Sequence, residues 1–548
     1  MDRLFLVPMV DGFLIVLWFL LITKCERFFT KNHKEQSSQY DFSVIMSVYN
    51  TEKYISEAVT SLLEQTIGFA DHVQLIFVND GSTDSSESIC LQYKKMFPHN
   101  IDYIFKPNGG LSSARNIGLK HVKGRYVNFL DPDDKWSPNA LKEIQEFLEM
   151  NQDVDIVAGR MQYFEASTRF HLLDYKFNAT RVVDITREYD CIQLSVASAF
   201  IKATSINGLQ FLEQISSAED ARFINTILLG TGKYGLVREA VYYYRQRKAG
   251  TSLVQNRYRD KSFFLTTPVV VFQYLLNISK SVSKKAVPYI QYLTLYDLQG
   301  RLLPLKNHPL TSAELINYLD VLRQLIKEID DHIILTYRGM NLEWKLFCLE
   351  QKYDYNINSK LTLKNMILYF DSFPLFSPTN YSFFRDRVKV DYNSTNLIVS
   401  MHEQSILPQH AYNIGIQTPQ AFYRCSSKQS LDYKLQTVFG SYPRSRSISC
   451  SIPLRTENQF QLVLALNDGK VSKVHVGVYQ SYLAVNSTLG SSINCSHDGR
   501  CLVKVGPQRR CLVRCKSCLF LILCVFSLIF SFAWKVSKHY LKKGAKLH

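Results

Sequence analysis

Acidic residues are missing from the last 49 residues of the chain, 500–548, where eleven lysines and arginines flank one long uncharged run. The run, Ser517–Trp534, has 18 residues, enough to cross a bilayer as a helix that rises about 1.5 Å per residue. Eleven of the sixteen excess positive charges thus lie beside a hydrophobic segment, which is typical of contact with anionic lipid headgroups. We therefore expect membrane lipid as a partner and no nucleic acid.

A cleavage pattern of small residues is also missing after the N-terminal apolar segment, Leu4–Thr23. We expect an uncleaved anchor there, with a cleaved signal peptide as the alternative. Basic residues after this segment favour the cytoplasmic side for the central region, by the positive-inside rule. Six Asn-X-Ser/Thr sequons favour the opposite side, because such asparagines are glycosylated only in a lumen. The chain is predicted to be a membrane protein with one or two passes, in the Golgi, the ER or the plasma membrane. The side that it faces stays open.

The sequence lacks internal repeats, and its twelve cysteines lack the spacing of a zinc site. Between residues 42 and 150, apolar β-branched runs instead alternate with stretches of helical periodicity. The short connections predict a parallel sheet with crossover helices, which binds its ligands at the carboxyl ends of the strands. The predicted strands are Phe42–Val48, Val73–Val78, Ile101–Phe105 and Tyr126–Leu130, and the predicted helices are 51–65, 84–96, 112–121 and 137–150.

Three carboxylates, Asp131, Asp133 and Asp134, follow directly after the last of these strands. Burying such a cluster without a counter-charge is costly, so it favours a divalent cation, Mg²⁺ or Mn²⁺, and the anion that the cation carries. Arg115 lies near the start of a predicted helix that follows Gly109-Gly110 in the sequence. Backbone N–H groups and a guanidinium at such a place suit a diphosphate. We expect these groups on one rim of the sheet.

Beyond residue 255 the pattern changes to helical periodicity and then to short β-branched runs separated by turn residues. A hairpin is predicted to join Phe460–Leu466 to Val471–Val478 through an Asn-Asp-Gly turn. The predicted organisation is an N-terminal membrane anchor (1–30), an α/β domain (40–255), a helical subdomain (256–375), a β-rich domain (380–505) and a C-terminal transmembrane helix (517–534).

Four stretches carry a resemblance to a known family: Val44–Asn50, Val78–Asp84, Gly109–Asn116 and Leu130–Trp136. In this order and at this spacing they resemble the family-2 glycosyltransferases, which use a nucleotide-sugar donor on the GT-A fold. The chain is similar to bacterial capsule and teichoic-acid members of that family. The resemblance implies an α/β fold: a GT-A, Rossmann-like, mostly parallel sheet with helices on both faces. The helical and β-rich parts would follow it, between terminal transmembrane helices.

The resemblance also implies roles for single residues. The catalytic base would be Asp220, in the stretch Ser217-Ala218-Glu219-Asp220. The donor-binding residues would be Tyr49 and Asp80 at the nucleobase, Asp131 at the ribose, and Arg115, Tyr244 and Arg245 near the phosphates. The metal would be held by Asp133, with Asp131 and Asp134 beside it.

The predicted function is that of a membrane-anchored, inverting, metal-dependent glycosyltransferase with Mg²⁺ or Mn²⁺ as cofactor. The donor would be a UDP-linked sugar. The acceptor would be a hydroxyl group of a glycan, or of a lipid-linked or protein-linked acceptor. Asn79 departs from the family's usual aspartate, and the absence of a Gln-x-x-Arg-Trp signature predicts transfer of one or a few sugars. The alternatives are an enzyme that transfers a polyol phosphate from a CDP-linked donor, and a catalytically silent membrane scaffold that binds glycans.

Overall fold

The computed structural model describes residues 38–247, 257–282, 285–305, 308–354, 357, 360–364 and 367–376, and, between 388 and 514, the strands named below with the turn at 438–439. They form two compact units. The first comprises the described residues of Met1–Leu298 and Lys306–Ile333, and the second those of Gln299–Leu305 and Ile334–His548. The predicted membrane segments Leu4–Thr23 and Ser517–Trp534 lie outside the described residues.

A nine-stranded sheet forms the centre of the first unit. Its strands are β1 (Tyr40–Val48), β2 (Val73–Asn79), β3 (Ile101–Phe105), β4 (Gly124–Phe129), β5 (Lys135–Trp136), β6 (Ile156–Glu165), β7 (Arg181–Asp184), β8 (Ala199–Lys202) and β9 (Lys233–Gln246). Their order is β3-β2-β1-β4-β8-β6-β9-β5, with β7 paired to β9. The four strands predicted from the sequence are confirmed.

The sheet is mixed: β1 to β4 form a parallel half, and further along the sheet β6 pairs parallel with β9. β1 pairs parallel with β2 and β4, and β2 pairs parallel with β3, whereas β8 runs antiparallel to both β4 and β6. The prediction of a mostly parallel sheet is therefore wrong for β5, β7 and β8, whose pairs are antiparallel. A parallel crossover needs a long connection that is usually helical. The connection 166–198 instead contains a 3₁₀ turn, Leu172–Lys176, and β7, but no α-helix.

Helices cover both faces of the sheet. They are α1 (Ile55–Leu63), α2 (Phe69–His72), α3 (Ser86–Met96), α4 (Leu111–Leu119), α5 (Ala140–Met150), α6 (Ala203–Ile206) and α7 (Glu219–Thr231). Because side chains alternate along a strand, Val44 of β1 joins a buried cluster with Ile55 and Ile144 on one face. On the other face Ile45 meets α4 at Gly118, where a Cβ atom would lie 2.5 Å from the Ile45 side chain.

The helical region begins with a continuous helix made of α8 (Lys261–Leu265), a π-helical stretch (Pro268–Gln273) and α9 (Tyr274–Val282). It continues with α10 (Pro288–Arg301), α11 (Ser312–Lys327), α12 (Asp331–Thr336) and α13 (Leu342–Lys352). Among the described residues, one helix, Lys261–Ser281, is long and apolar enough to cross a membrane. Half of its most apolar window is buried inside the protein, as in the core helix of a soluble protein, so it is weak support for a span.

Strands make up the described part of the chain after α13. They are β10 (Leu361–Lys364), β11 (Ile367–Phe370), β12 (Phe373–Phe376), β13 (Val388–Tyr392), β14 (Asn396–Gln404), β15 (Tyr412–Gln417), β16 (Phe422–Arg424), β17 (Ser426–Thr437), β18 (Gly440–Pro453), β19 (Gln459–Leu466), β20 (Lys473–His475), β21 (Leu483–Val485), β22 (Ser492–Cys495), β23 (Arg500–Val505) and β24 (Arg509–Arg514). β19 and β20 pair antiparallel, as the predicted hairpin requires. β10, β11 and β12 lie within the region predicted to be helical, which is helical only as far as Lys352.

Gly159 of β6 is a position where the sheet admits no side chain. A Cβ atom there would lie 2.6 Å from the Trp136 ring and 2.8 Å from the Ala240 carbonyl oxygen. We expect Gly159→Ala to lower the free energy of unfolding by about 1–3 kcal/mol, because the core must move to accept the methyl group. Urea denaturation measures the change.

Gly230→Ala is the matched control, since Gly230 lies in α7 with no atom within 4 Å of its added Cβ. Alanine in a helix should instead raise the free energy of unfolding, by about 0.5–1 kcal/mol. Equal effects of the two substitutions would contradict the packing seen at β6.

Candidate active site

The ends of β1 and β2 are tied together at one edge of the sheet. The Asp80 backbone N–H donates to the Val48 carbonyl oxygen over 2.8 Å, and the Asn50 side-chain oxygen accepts from the Thr83 N–H over 2.8 Å. Asn50 takes a left-handed conformation with φ of 52°. The turn leaves the Tyr49 ring 49% exposed, beside the strand end that carries Asp80. These two predicted base-binding residues therefore stand on neighbouring strand ends.

Asp80 holds the glycine turn in front of α4. Its carboxylate is buried and accepts hydrogen bonds from the backbone N–H groups of Gly109 (2.9 Å) and Gly110 (2.8 Å), and from the Lys106 ammonium. Gly110 has φ of 89°, a conformation that glycine adopts without strain. The motif that begins at Gly109 is thus fixed to the motif that contains Asp80. A role of Asp80 towards a nucleobase stays a prediction.

Arg115 is the centre of an ion cluster at the same edge. Its guanidinium lies 2.5 Å from an oxygen of Asp220, 3.3 Å from an oxygen of Asp131 and 3.4 Å from an oxygen of Glu219. The side chain is only 3% exposed, and it also lies over the Phe211 ring at 5.2 Å. The structure therefore brings together three residues that the sequence predicted for the site: Arg115, Asp131 and Asp220. Here Arg115 contacts carboxylates, so its predicted contact with phosphate stays a prediction.

Negative charge exceeds positive charge in this cluster. Burial raises the pKa of Asp131 to about 6; Arg115 opposes the rise, and Asp133 and Asp220 add to it. Burial and the neighbouring Asp220 together raise the pKa of Glu219 to about 7. The single positive charge of Arg115 does not balance the negative charges of the carboxylates around it. The site is therefore a favourable place for a further cation.

Asp220 lies in the first turn of α7, where the helix dipole favours a negative charge. One carboxylate oxygen faces Arg115, and the other accepts the Val196 backbone N–H over 3.2 Å. The backbone turns sharply just before Asp220, because Ala218 has a left-handed φ of 63°. The carboxylate is thereby held on two sides. The sequence offered no signal for Val196, because the stretch around it carries no motif.

The three carboxylates after β4 have different surroundings. Asp134 is buried, and its oxygens accept from the Tyr242 hydroxyl and the Arg245 backbone N–H, each over 2.7 Å. Asp133 binds Arg247 through one oxygen, at 2.6 Å. In the part of the chain that the structure describes, no group of three or more His, Cys, Asp or Glu side chains is arranged to hold a metal ion. The three-aspartate metal site therefore stays a prediction, and Asp134 has protein partners instead.

The remaining two predicted residues stand at the end of β9. The Tyr244 ring packs edge-on against Tyr163 with 5.8 Å between the ring centres. Arg245 pairs with Glu57 and Glu165, and its Nε donates to the Asp133 carbonyl oxygen over 2.8 Å. Arg245 thus fixes the turn that carries Asp133, whereas the neighbouring Arg247 reaches the carboxylate itself. Roles near phosphates stay predictions for both Tyr244 and Arg245.

A mixed α/β sheet with charged groups gathered at its strand ends is the layout of an enzyme that works on a ligand bound at that rim. Residues 43–202 match the family described as Glycosyl transferase family 2. The matched segment contains the glycine turn, Arg115 and Asp131, and it ends before Asp220. Over residues 43–202 the chain is therefore similar to the family 2 glycosyltransferases, and its mixed α/β sheet agrees with the GT-A-like fold that the resemblance implied.

Two curated relatives come from Bacillus subtilis (strain 168). The chain is 39% identical over 325 residues to the minor teichoic acid biosynthesis protein GgaB, an alignment of 59% of this chain and 36% of that protein. It is 32% identical over 298 residues to GgaA, with 54% of this chain and 64% of that protein aligned. The chain thus spans less than two thirds of the length of these relatives.

The comparison with solved structures finds S. aureus TarS residues 1–349 in complex with UDP-GlcNAc. The match covers 62% of this chain and 99% of that chain, at 19% identity and a TM-score of 0.46.

Arg115→Met should destabilise the first unit strongly. The substitution leaves Asp131, Glu219 and Asp220 near one another without their shared cation, and breaking a buried ion pair on one side typically costs about 3–5 kcal/mol. Adding Glu219→Gln to Arg115→Met should recover part of that loss, because one uncompensated carboxylate is removed. Urea denaturation of the single and double variants gives the free energies.

Arg187→Met is the control, because the Arg187 side chain is 85% exposed. A loss for Arg115→Met no larger than the loss for Arg187→Met would show that the ion cluster does not hold this part of the fold.

Proposed function

We propose that this protein is an inverting glycosyltransferase that moves a sugar from a nucleotide-diphosphate donor, UDP-linked, to an acceptor hydroxyl. The observation that carries the proposal is the meeting of Asp131, Arg115 and Asp220 at the strand-end rim of a family 2 domain. Arg115 contacts Asp131 through Nη2 and Asp220 through Nη1, and these two contacts divide the site into two parts. The Asp131 side belongs to the donor, and the Asp220 side belongs to the acceptor.

The donor side is formed by the ends of β1, β2 and β4. The exposed ring of Tyr49 offers a face for a nucleobase, and the buried carboxylate of Asp80 lies on the neighbouring strand end. Asp131 and Asp133 would hold Mg²⁺ or Mn²⁺, because carboxylate oxygens suit these hard cations and the cluster has excess negative charge. Such a cation would neutralise negative charge on the departing diphosphate.

The acceptor side is formed by the first turn of α7. Asp220 is the proposed base that takes the proton of the acceptor hydroxyl as its oxygen attacks the anomeric carbon and the bond to the diphosphate breaks. Arg115 and the Val196 N–H fix both carboxylate oxygens, and each oxygen keeps a further lone pair for the proton. Attack from the side opposite the leaving group inverts the anomeric configuration.

The acceptor class is proposed from the relatives. GgaB and GgaA are named as minor teichoic acid biosynthesis proteins, and a S. aureus relative, 25% identical, is named as a poly(ribitol-phosphate) β-N-acetylglucosaminyltransferase. We propose a polyol-phosphate polymer of the teichoic-acid type as the acceptor, and association with the membrane through the apolar segments of the sequence. The sugar is left open.

Asp220→Asn should keep donor binding and lose sugar transfer. An amide fills the same space but cannot take the proton, and a positioned general base typically contributes about 10²–10⁴-fold to the rate. Transfer is followed with radiolabelled UDP-sugars, and UDP binding is measured by calorimetry. Asp153→Asn is the matched control, since the Asp153 side chain is 74% exposed and pairs only with Lys233 among the described residues. Full turnover of Asp220→Asn would refute the assignment of the base.

Asp133→Asn should abolish the Mn²⁺-dependent part of UDP binding, because the substitution removes the charge that faces the cation. Calorimetry with and without Mn²⁺ measures the difference, and CDP serves as a competitor. UDP binding without any effect of Mn²⁺ would overturn the metal assignment. Stronger competition by CDP would favour polyol-phosphate transfer, and no binding of either nucleotide would favour the silent scaffold.

A further inference from the structure

A small cavity lies beside the segment that holds Asp220. Its volume is about 70 Å³, which is room for a group of a few non-hydrogen atoms, since one water molecule takes up about 30 Å³ in the liquid. Polar side chains line much of it: His171, Asp174, Lys176, Gln193, Ser195 and Ser198. Lys176, Gln193 and Ser198 are each at most 4% exposed. The cavity is therefore preformed inside the first unit, with polar groups set among the apolar side chains of Met161, Leu173, Phe177 and Leu194, and we call it the Lys176 cavity.

Lys176 gives the cavity a buried amine that can carry a positive charge. Its ammonium donates to the Ile192 carbonyl oxygen over 2.7 Å and to the Gln193 side-chain oxygen over 2.6 Å. An ammonium has three N–H groups, so one donor remains. In the described residues no carboxylate forms an ion pair with Lys176, and burial lowers the pKa of its side chain to about 7. The Lys176 amine is therefore partly neutral at physiological pH, and an anionic ligand would favour its charged form.

The other ionisable groups of the cavity do not offset this charge. Asp174 is held by Arg160 through two hydrogen bonds of 2.5 and 2.8 Å, so the two charges offset each other. Burial lowers the pKa of His171 to about 4, which keeps its imidazole neutral at physiological pH. The charge of the cavity therefore depends on whether Lys176 is protonated.

The wall of the cavity and the proposed base belong to one connected segment. Ser195 lines the cavity, and the next residue, Val196, donates its N–H to Asp220. Asn225, one turn further along α7 than Asp220, donates to the Gln193 carbonyl oxygen over 2.9 Å. Helix α7 is thus bonded to the cavity wall at two points. The cavity wall and the proposed base are therefore connected through the neighbouring residues Ser195 and Val196.

We propose that the Lys176 cavity is an acceptor subsite that takes a phosphate group of the acceptor, next to the hydroxyl that Asp220 deprotonates. The inference rests on the proposed function, because it uses Asp220 as the base. A phosphate oxygen fits the remaining donor of Lys176, and the hydroxyls of Ser195 and Ser198 are suitable donors to the same anion. The subsite would select an acceptor whose reacting hydroxyl is near a phosphate.

The test uses glycerol phosphate as the probe, glycerol as the uncharged comparison, and the full chain with UDP present. Calorimetry should detect binding of glycerol phosphate but not of glycerol. Lys176→Met should weaken that binding at least tenfold, since it removes the charge and keeps most of the stem. Gln193→Glu should weaken it similarly, because an internal carboxylate would then pair with Lys176 in nearly the same space.

Lys142→Met is the matched control, because the Lys142 side chain is 55% exposed on α5 and away from the cavity, and it should bind like the unchanged chain. Thermal unfolding of each variant is measured alongside, and Gln193→Glu provides the test if Lys176→Met does not fold. Equal binding by all three variants, or no binding by the unchanged chain, would overturn the subsite. Loss of UDP binding in the folded Lys176→Met or Gln193→Glu variant would also overturn it, by placing the cavity on the donor side.

The proposed function has a separate readout. If the unchanged chain binds neither UDP nor CDP, the glycosyltransferase proposal fails, whatever glycerol phosphate does. Suppose that UDP binds, that Asp220→Asn loses transfer, and that Lys176→Met leaves the binding of glycerol phosphate unchanged. The enzyme assignment then stands, and only the subsite is wrong.

Discussion

One buried guanidinium connects the parts of the domain that the chemistry needs. Arg115 comes from α4, Asp131 follows β4, and Glu219 and Asp220 begin α7, so the pairing joins three elements. A buried charge is tolerated only when it is paired, which makes this contact a strong constraint on where α7 can begin. The same contact sets the orientation of Asp220. Fold and site therefore depend on one interaction.

The cluster is stable but not neutral. Asp131 and Glu219 have raised pKa values because they are buried close to other carboxylates, and Arg115 offsets only part of that charge. Arg247 gives Asp133 a further cation, and protein donors satisfy Asp134. A site of this kind stabilises positive charge that arrives with a ligand. That property agrees with a donor that binds together with a divalent cation.

The segment 191–198 shows how irregular backbone can be buried next to such a site. Side chains from several elements satisfy its polar groups. The Tyr234 hydroxyl donates to the Cys191 carbonyl oxygen, and Lys176 donates to the Ile192 carbonyl oxygen. Asn225 donates to the Gln193 carbonyl oxygen, and the Tyr289 hydroxyl accepts the Gln193 N–H. These bonds replace the ladder of a regular strand. The segment can therefore present one N–H to Asp220 and a polar wall to the cavity.

The sequence by itself determined the elements of the parallel half and the place of its polar ends. Apolar β-branched runs predicted β1 to β4, helical spacing predicted α1, α3, α4 and α5, and parallel strands bring their carboxyl ends to one edge. The motifs at those ends were therefore predictable as one rim, together with Asp131 and Asp80. These features are local or follow from topology.

Only the tertiary structure decided which charges meet. Arg115 is 16 residues from Asp131 and 105 from Asp220, and no sequence period relates positions so far apart. The antiparallel insertion of β8 and the Lys176 cavity likewise depend on the connection 166–198, which has no helical or strand period across most of its length. Asp134 is buried because it bonds to Tyr242 and Arg245 of β9, more than 100 residues away. Local propensity sets the shape of an element, whereas the pairing of distant charges depends on how the packed elements place them.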